Sequence, residues 1–119
     1  MQDECTVNQT IKYLGKKWTL LIILELYKGD GYTRRFTEMK ERLPGITAKV
    51  LSARLKELEE EGLVEKKIDT KTIPVRSEYT LTESGLGLVE VIKDIKRWAL
   101  RWKIENLACG AQDCRDCVL

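Results

Sequence analysis

Apolar residues recur at helical spacing through the first quarter of the chain. Val7, Ile11 and Leu14 lie three or four positions apart and predict a short helix from Thr6 to Tyr13, interrupted by Gly15. The run "KKWTLLIILELYKG" predicts a strongly apolar helix from about Lys17 to Lys28. Trp18, Leu21, Ile22 and Leu26 would face a core, and Gly29 would be the stop. "GYTRRF" is short enough to be an edge strand or an extended connection. "TEMKERL" predicts a third helix with Thr37 as N-cap, broken at "LPG" because Pro44 disfavours helical geometry at Leu43. "ITAKVLSARLKELEEEG" predicts a fourth, capped by Thr47 and ended by Gly62, with Ala48, Leu51, Leu55 and Leu58 as its apolar stripe.

After Gly62 the period changes to two. "LVEKKID" and "VRSEYTLT" read as short strands joined by "TKTIP", a hairpin with a basic, proline-bearing tip. Thr82 then caps a long helix, "ESGLGLVEVIKDIKRWALRWKIENL", which Gly85 and Gly87 would interrupt near its start. Val89, Ile92, Ile95, Trp98, Leu100, Trp102 and Ile104 leave this helix apolar over more surface than one small domain covers, a sign of a partner. The order helix, helix, helix–turn–helix, hairpin, helix is that of a winged helix-turn-helix. The fold class is α+β and mostly helical, with added helices at both ends. Residues 1–108 would form the domain and residues 109–119 a cysteine-containing tail.

Length and composition narrow the classes. At 119 residues, 43% hydrophobic and 34% charged, the chain fits one soluble domain. No apolar run approaches the roughly 18 residues of a membrane span. "MQDECTVNQT" lacks the basic and apolar regions of a signal peptide, so a cytoplasmic location is expected. The net charge of +2 says little, but its distribution says more. Thr33–Lys56 carries seven Lys/Arg against Glu38 and Glu41, and Lys66–Arg76 carries four against Asp69. Between them stand Glu57, Glu59, Glu60 and Glu61. One basic face is expected, or else an ordinary surface laced with ion pairs.

"GKKWTLLIILEL", "RRFTEMKERLPGITAKVLSARLKELEEEGLVEKK", "PVRSEYTLTESG" and the tryptophan-bearing last helix together resemble the HxlR family of transcriptional regulators. The resemblance runs from about Cys5 to Trp102. It implies a homodimer, joined through the N-terminal and C-terminal helices, that binds a partly palindromic operator in double-stranded DNA. Val7, Ile11, Ile95, Trp98 and Trp102 are then the candidate dimer contacts. The tail "CGAQDCRDCVL" departs from the family's usual pattern.

In a helix-turn-helix the second helix presents its outward, N-terminal side chains to base edges. Removing the apolar stripe leaves Thr47, Lys49, Val50, Ser52, Ala53, Arg54 and Lys56 for the groove. Thr47 can cap the helix and face a phosphate. Lys49 and Ser52 are the candidates for base edges, with Val50 or Ala53 against a thymine methyl. Arg54 would grip a phosphate or hold Glu57 or Glu38. Lys66 and Lys67 start the wing, and Lys71 and Arg76 flank its tip, where phosphate or minor-groove contact is expected; a wing lysine suits a phosphate as a point charge. Arg34 and Arg35 precede the motif and would meet the DNA backbone or pair with Glu38.

Cys5, Cys109, Cys114 and Cys117 admit three readings. With no histidine in the chain, the C-x4-C-x2-C tail plus Cys5, from the same or the opposite subunit, could supply four thiolates to zinc or an iron–sulfur cluster. By resemblance, Cys5 matches the N-terminal cysteine that controls DNA binding in several relatives, which implies redox or electrophile sensing. Ordinary thiols or a structural disulfide complete the set. The regulator reading requires no cofactor. An enzyme is disfavoured: there is no histidine, no glycine-rich phosphate loop, and no paired carboxylates outside a charged helix surface. The alternatives are a winged helix serving protein contacts alone, or a metal-binding redox protein centred on the tail.

Overall fold

The computed structural model describes residues 5–117. Its elements are α1 (Thr6–Leu14), α2 (Thr19–Lys28), β1 (Thr33–Arg35), α3 (Phe36–Arg42), α4 (Ala48–Glu60), β2 (Val64–Asp69), β3 (Arg76–Leu81), α5 (Glu83–Trp102) and α6 (Leu107–Gly110). Short turns of tighter helix at Asp30–Tyr32 and Cys114–Asp116 complete the order. The three strands form one antiparallel sheet in the order β1-β3-β2, so the "GYTRRF" segment supplies an edge strand to the hairpin. Thr33 pairs with Thr80, and Val64 with Leu81.

The core is built where the helical stripes meet the inner face of the sheet. Ile22, Ile23 and Leu26 of α2, Met39 of α3, and Leu51, Leu55 and Leu58 of α4 are fully buried. Val64, Tyr79 and Leu81 close the core from the sheet, and Leu88, Val89 and Ile92 from α5. Two residues assigned to this core lie outside it. Leu21 is 49% exposed, because Ile22 and Ile23 already fill the inward arc of α2. Ala48 is exposed in the first turn of α4, one turn before the stripe reaches the core at Leu51.

The helix ends show which local signals operate. Thr47 caps α4 by accepting from the Val50 N–H at 3.1 Å, and Thr82 caps α5 by accepting from the Gly85 N–H at 3.2 Å. Gly62 follows α4 with φ of +78°, the left-handed conformation that lets the chain reverse into β2. Three expected boundaries are corrected. The cap of α3 is Arg35, not Thr37, since Glu38 Oε1 accepts from the Arg35 N–H at 3.2 Å and fixes the first turn there. Helix α2 starts at Thr19, because Trp18 adopts a left-handed φ of 81°. Helix α5 is continuous through Gly85 and Gly87 and stops at Trp102, short of the expected Leu107.

Candidate nucleic-acid interface

Helices α3 and α4, joined through Leu43–Thr47, form the helix-turn-helix. A buried carboxylate ties it to the rest of the domain. Glu25 of α2 accepts from Arg42 Nε at 2.7 Å and faces Lys28 Nζ at 3.6 Å. Arg34 Nε donates to the Glu25 carbonyl at 3.1 Å. The Arg42 bond fixes α3 on α2, and the Arg34 bond holds β1, which leads into α3, on the same helix.

On α4, Lys49, Ser52, Ala53 and Lys56 are exposed, as is the capping Thr47. Val50 is half-buried and packs against the core. Arg54 is held by its own helix and by the turn between α1 and α2: its Nη1 meets Glu57 Oε1 at 3.0 Å and its Nε donates to the Lys17 carbonyl at 3.1 Å. The carboxylate alternative weighed for Arg54 is therefore the contact seen. Lys16 also pairs with Glu57. Its hydrogen bond, then that of Arg54, holds the Glu57 carboxyl below the usual range against the opposing effect of burial. Glu57 thus serves as an internal latch between α4 and the turn joining α1 to α2, while Glu59, Glu60 and Glu61 stay exposed at the far end of the helix.

The hairpin β2–β3 is the wing. Lys66, Lys67, Lys71 and Arg76 are all exposed along it. Ser52, Lys56 and Glu59 of α4 line one cleft together with Lys66 and Tyr79 of the wing. A second cleft, lined by Arg35, Phe36, Thr37, Arg76 and Ser77, joins the start of α3 to the other end of the wing. The arginines ahead of α3 are partly engaged. Arg34 lies 3.4 Å from Glu38, and Arg35 lies 3.7 Å from Glu78 rather than pairing with Glu38. Thr37, assigned only a capping role from sequence, is an exposed hydroxyl beside this second cleft.

The candidate dimer contacts lie on the surface. Helix α1 buries none of its residues, and Val7 and Ile11 are exposed on it. On α5 the buried residues end at Ile92, while Ile95, Trp98 (56% exposed) and Trp102 (63%) project from the second half.

No disulfide joins Cys5, Cys109, Cys114 or Cys117. Cys5 caps α1, its Sγ accepting from the Asn8 N–H at 3.4 Å. Among the described residues no three or more Cys, Asp or Glu side chains are gathered where they could hold a metal ion. The tail instead docks through a cluster that sequence reading missed. Lys93 Nζ lies 2.6 Å from Asp113 Oδ1 and donates to Tyr27 Oη at 2.9 Å, while the Tyr27 hydroxyl donates to Asp113 Oδ2 at 2.9 Å. Arg115 lies over the stacked rings of Tyr27 and Tyr32 and donates to the Tyr27 carbonyl. Among the described residues no helix is long and apolar enough to cross a membrane.

Comparison with known proteins agrees with this architecture. The family model described as HxlR-like helix-turn-helix matches residues 13–106. The HTH-type transcriptional regulator YodB of Bacillus subtilis is 44% identical over 93 residues, 78% of this chain and 80% of its own. The uncharacterized HTH-type transcriptional regulator YvaP of the same organism is 40% identical over 95 residues, 80% of this chain and 84% of its own. The solved reduced form of YodB superposes with a TM-score of 0.73 at 36% identity, over 89% of this chain and 99% of that one. The redox regulator HypR in its oxidized form gives 0.71 at 30% identity, over 84% and 99%. YodB has also been solved diamide-treated and quinone-bound. With its helix-turn-helix, wing and long last helix all matched, this chain belongs to the HxlR-like family of helix-turn-helix transcriptional regulators.

Proposed function

We propose that the chain works as a homodimer that recognises a partly palindromic DNA operator and alters its binding when its thiols are oxidised. The observation that carries the DNA reading is the shared cleft of α4 and the wing. Ser52 and Lys56 open into the same space as Lys66, so a duplex meeting one meets the other. Thr47, Lys49, Ser52, Ala53 and Lys56, with Val50 beside them, would face the major groove. Lys71 and Arg76 would hold phosphates, joined by Arg35. Arg34 and Arg54 would act mainly by fixing α3 and α4, since both are bonded internally.

The dimer reading is supported by the apolar surplus at the two ends of the chain. A nine-residue helix with no buried residue, such as α1, is marginal in water without a partner. A second copy would cover Val7, Ile11, Ile95, Trp98 and Trp102 and set the spacing of the two recognition helices.

The thiol reading is supported by the position of Cys5 at the head of α1, within that surface. Similar proteins are described as a redox regulator and as solved in reduced and diamide-treated forms, which favours it further. Forming a disulfide would remove two protons and two electrons from a pair of thiols and pass them to diamide, and the new S–S bond would shift one subunit against the other.

The test is a footprint on the DNA upstream of the protein's own gene, with and without diamide. Two protected half-sites centred about one helical turn, roughly 10 bp, or a multiple of it apart are expected. Protection should change with diamide and return with a thiol reductant. A reduced and oxidised protein that both ignore duplex DNA at low ionic strength would overturn the whole reading. Unchanged protection under diamide would overturn the thiol part alone.

A further inference from the structure

The tip of the wing carries a feature that phosphate binding does not explain. Ile73 is 99% exposed, and Ile68 and Val75 beside it are each 59% exposed. The tip is held by its own side chains. The Lys71 N–H donates to Asp69 Oδ1 at 2.9 Å, and Thr72 Oγ1 donates to the Pro74 carbonyl at 3.1 Å. The turn therefore presents Ile73 at a fixed point beyond the last strand pair, Asp69 with Arg76. Between Lys66 and Arg76 the only carboxylate in the sequence is that of Asp69, and it is occupied by the Lys71 N–H.

An apolar point flanked by cations matches one surface closely. The minor groove of B-DNA is about 6 Å wide and bordered by phosphates. Lysine and arginine grip those phosphates without reading sequence. Isoleucine and proline side chains are among those that proteins push between base steps from the minor groove, partly unstacking them and kinking the duplex. Along β2, Lys66 and Ile68 share the face that further in carries the buried Val64. Lys66 lines the cleft with Ser52 and Lys56 of α4, so the apolar tip is continuous with the helix-turn-helix surface. A protein partner would have to be acidic to meet the same cations, and nothing in the continuity with α4 calls for one.

We propose that Ile73, backed by Pro74, is an apolar wedge that enters the minor groove beside the recognition-helix site, opens one base step and bends the duplex. The inference rests on the DNA reading above and adds a source of specificity to it. A wedge favours steps that unstack easily, the pyrimidine–purine steps TA and CA/TG, at positions no side chain reads by hydrogen bonds.

The test uses duplexes selected by the full-length wild-type protein from a random-sequence library. Bending is measured with circularly permuted fragments. The wild-type complex should be bent, and the selected sequences should carry a flexible step at the flank. Ile73→Ser should straighten the complex and weaken binding about three- to tenfold with the salt slope unchanged, because no charge is altered. Ile73→Met should keep the bend. A straight wild-type complex, or an Ile73→Ser complex bent as much as the wild type, overturns the wedge while leaving DNA binding intact. If Ile73→Ser changes the self-association of the free protein and leaves the bend alone, the tip contacts protein and the wedge is wrong. If the wild type selects no duplex at all, the DNA reading fails first and the wedge falls with it.

Discussion

The ammonium of Lys93 in the middle of α5 meets the carboxylate of Asp113 in the tail at 2.6 Å, and both bond the hydroxyl of Tyr27 on α2. The C-terminal segment, including Cys114, is thereby clasped against the domain. The Lys93 hydrogen bond, supported by the Arg115 N–H and the Tyr27 hydroxyl, brings the Asp113 carboxyl down to about 2 from an ordinary 3.8, against the opposing effect of burial. The same Asp113 bond, followed by that of Tyr27, raises Lys93. Because the folded value of Asp113 lies below its unfolded one, its contribution is complete above the ordinary value and is lost as pH falls through about 2.

The first prediction concerns this clasp. Asp113→Asn should weaken the tail's attachment by about 1 kcal/mol, a modest figure because both partners reach solvent. Hydrogen exchange over residues 113–117 should quicken in the variant at neutral pH, and the difference from wild type should shrink as the pH approaches 2. Equal exchange at neutral pH would mean that the clasp contributes nothing.

A second prediction separates reading from gripping. Lys49→Ala should change the sequences preferred by the protein, since Lys49 stands exposed in the first turn of α4. Lys71→Ala should weaken binding to all duplexes about equally and lower the salt slope by about one. Competition assays at two salt concentrations measure both, and an unchanged slope for Lys71→Ala would remove the wing from the phosphate contacts.

Third, the two glycines at the start of α5 should respond oppositely to alanine. A Cβ on Gly85 would lie 2.3 Å from the Leu63 carbonyl and 3.1 Å from Leu81 Cδ2, so Gly85→Ala should destabilise the fold by about 1–3 kcal/mol. A Cβ on Gly87 meets nothing within 4 Å, and Gly87→Ala should stabilise by about 1 kcal/mol through helix propensity. Urea melts of the two variants would show midpoints moving in opposite directions.

Fourth, Trp98→Glu should convert the proposed dimer to a monomer without unfolding it. The ring is more than half exposed in the isolated chain and lies beyond the last buried residue of α5, Ile92. Sedimentation gives the mass and circular dichroism the helix content. A variant that keeps the mass of the wild type would place the subunit contact elsewhere.

The element order was legible because it rests on short-range chemistry. The stripe Leu51, Leu55, Leu58 and the caps Thr47 and Thr82 join residues three or four apart, and the structure realises each of them. The failures have equally local causes. Thr37 was displaced as a cap because Glu38 reaches back to the Arg35 N–H, and Leu21 and Ala48 fall outside the core although their spacing fits. Among the proposed DNA contacts, the sequence left Arg34 and Arg54 each open between a DNA phosphate and a partner within the protein. Only folding distinguishes them, by bringing the Glu25 carbonyl to Arg34 and the Lys17 carbonyl to Arg54.

By itself, then, the order of residues determined the helices, the wing hairpin and the apolar surplus of the last helix, because periodicity and capping act within a turn or two of chain. The tertiary structure decided which charges are committed and which remain available. Tyr27, Lys93 and Asp113 come together across separations of 66 and 86 positions, and no spacing rule reaches that far. Ion-pair partners are chosen by where packed helices bring the side chains, so the latch of Glu57, the clasp of Asp113 and the exposed tip at Ile73 exist only once the core has closed.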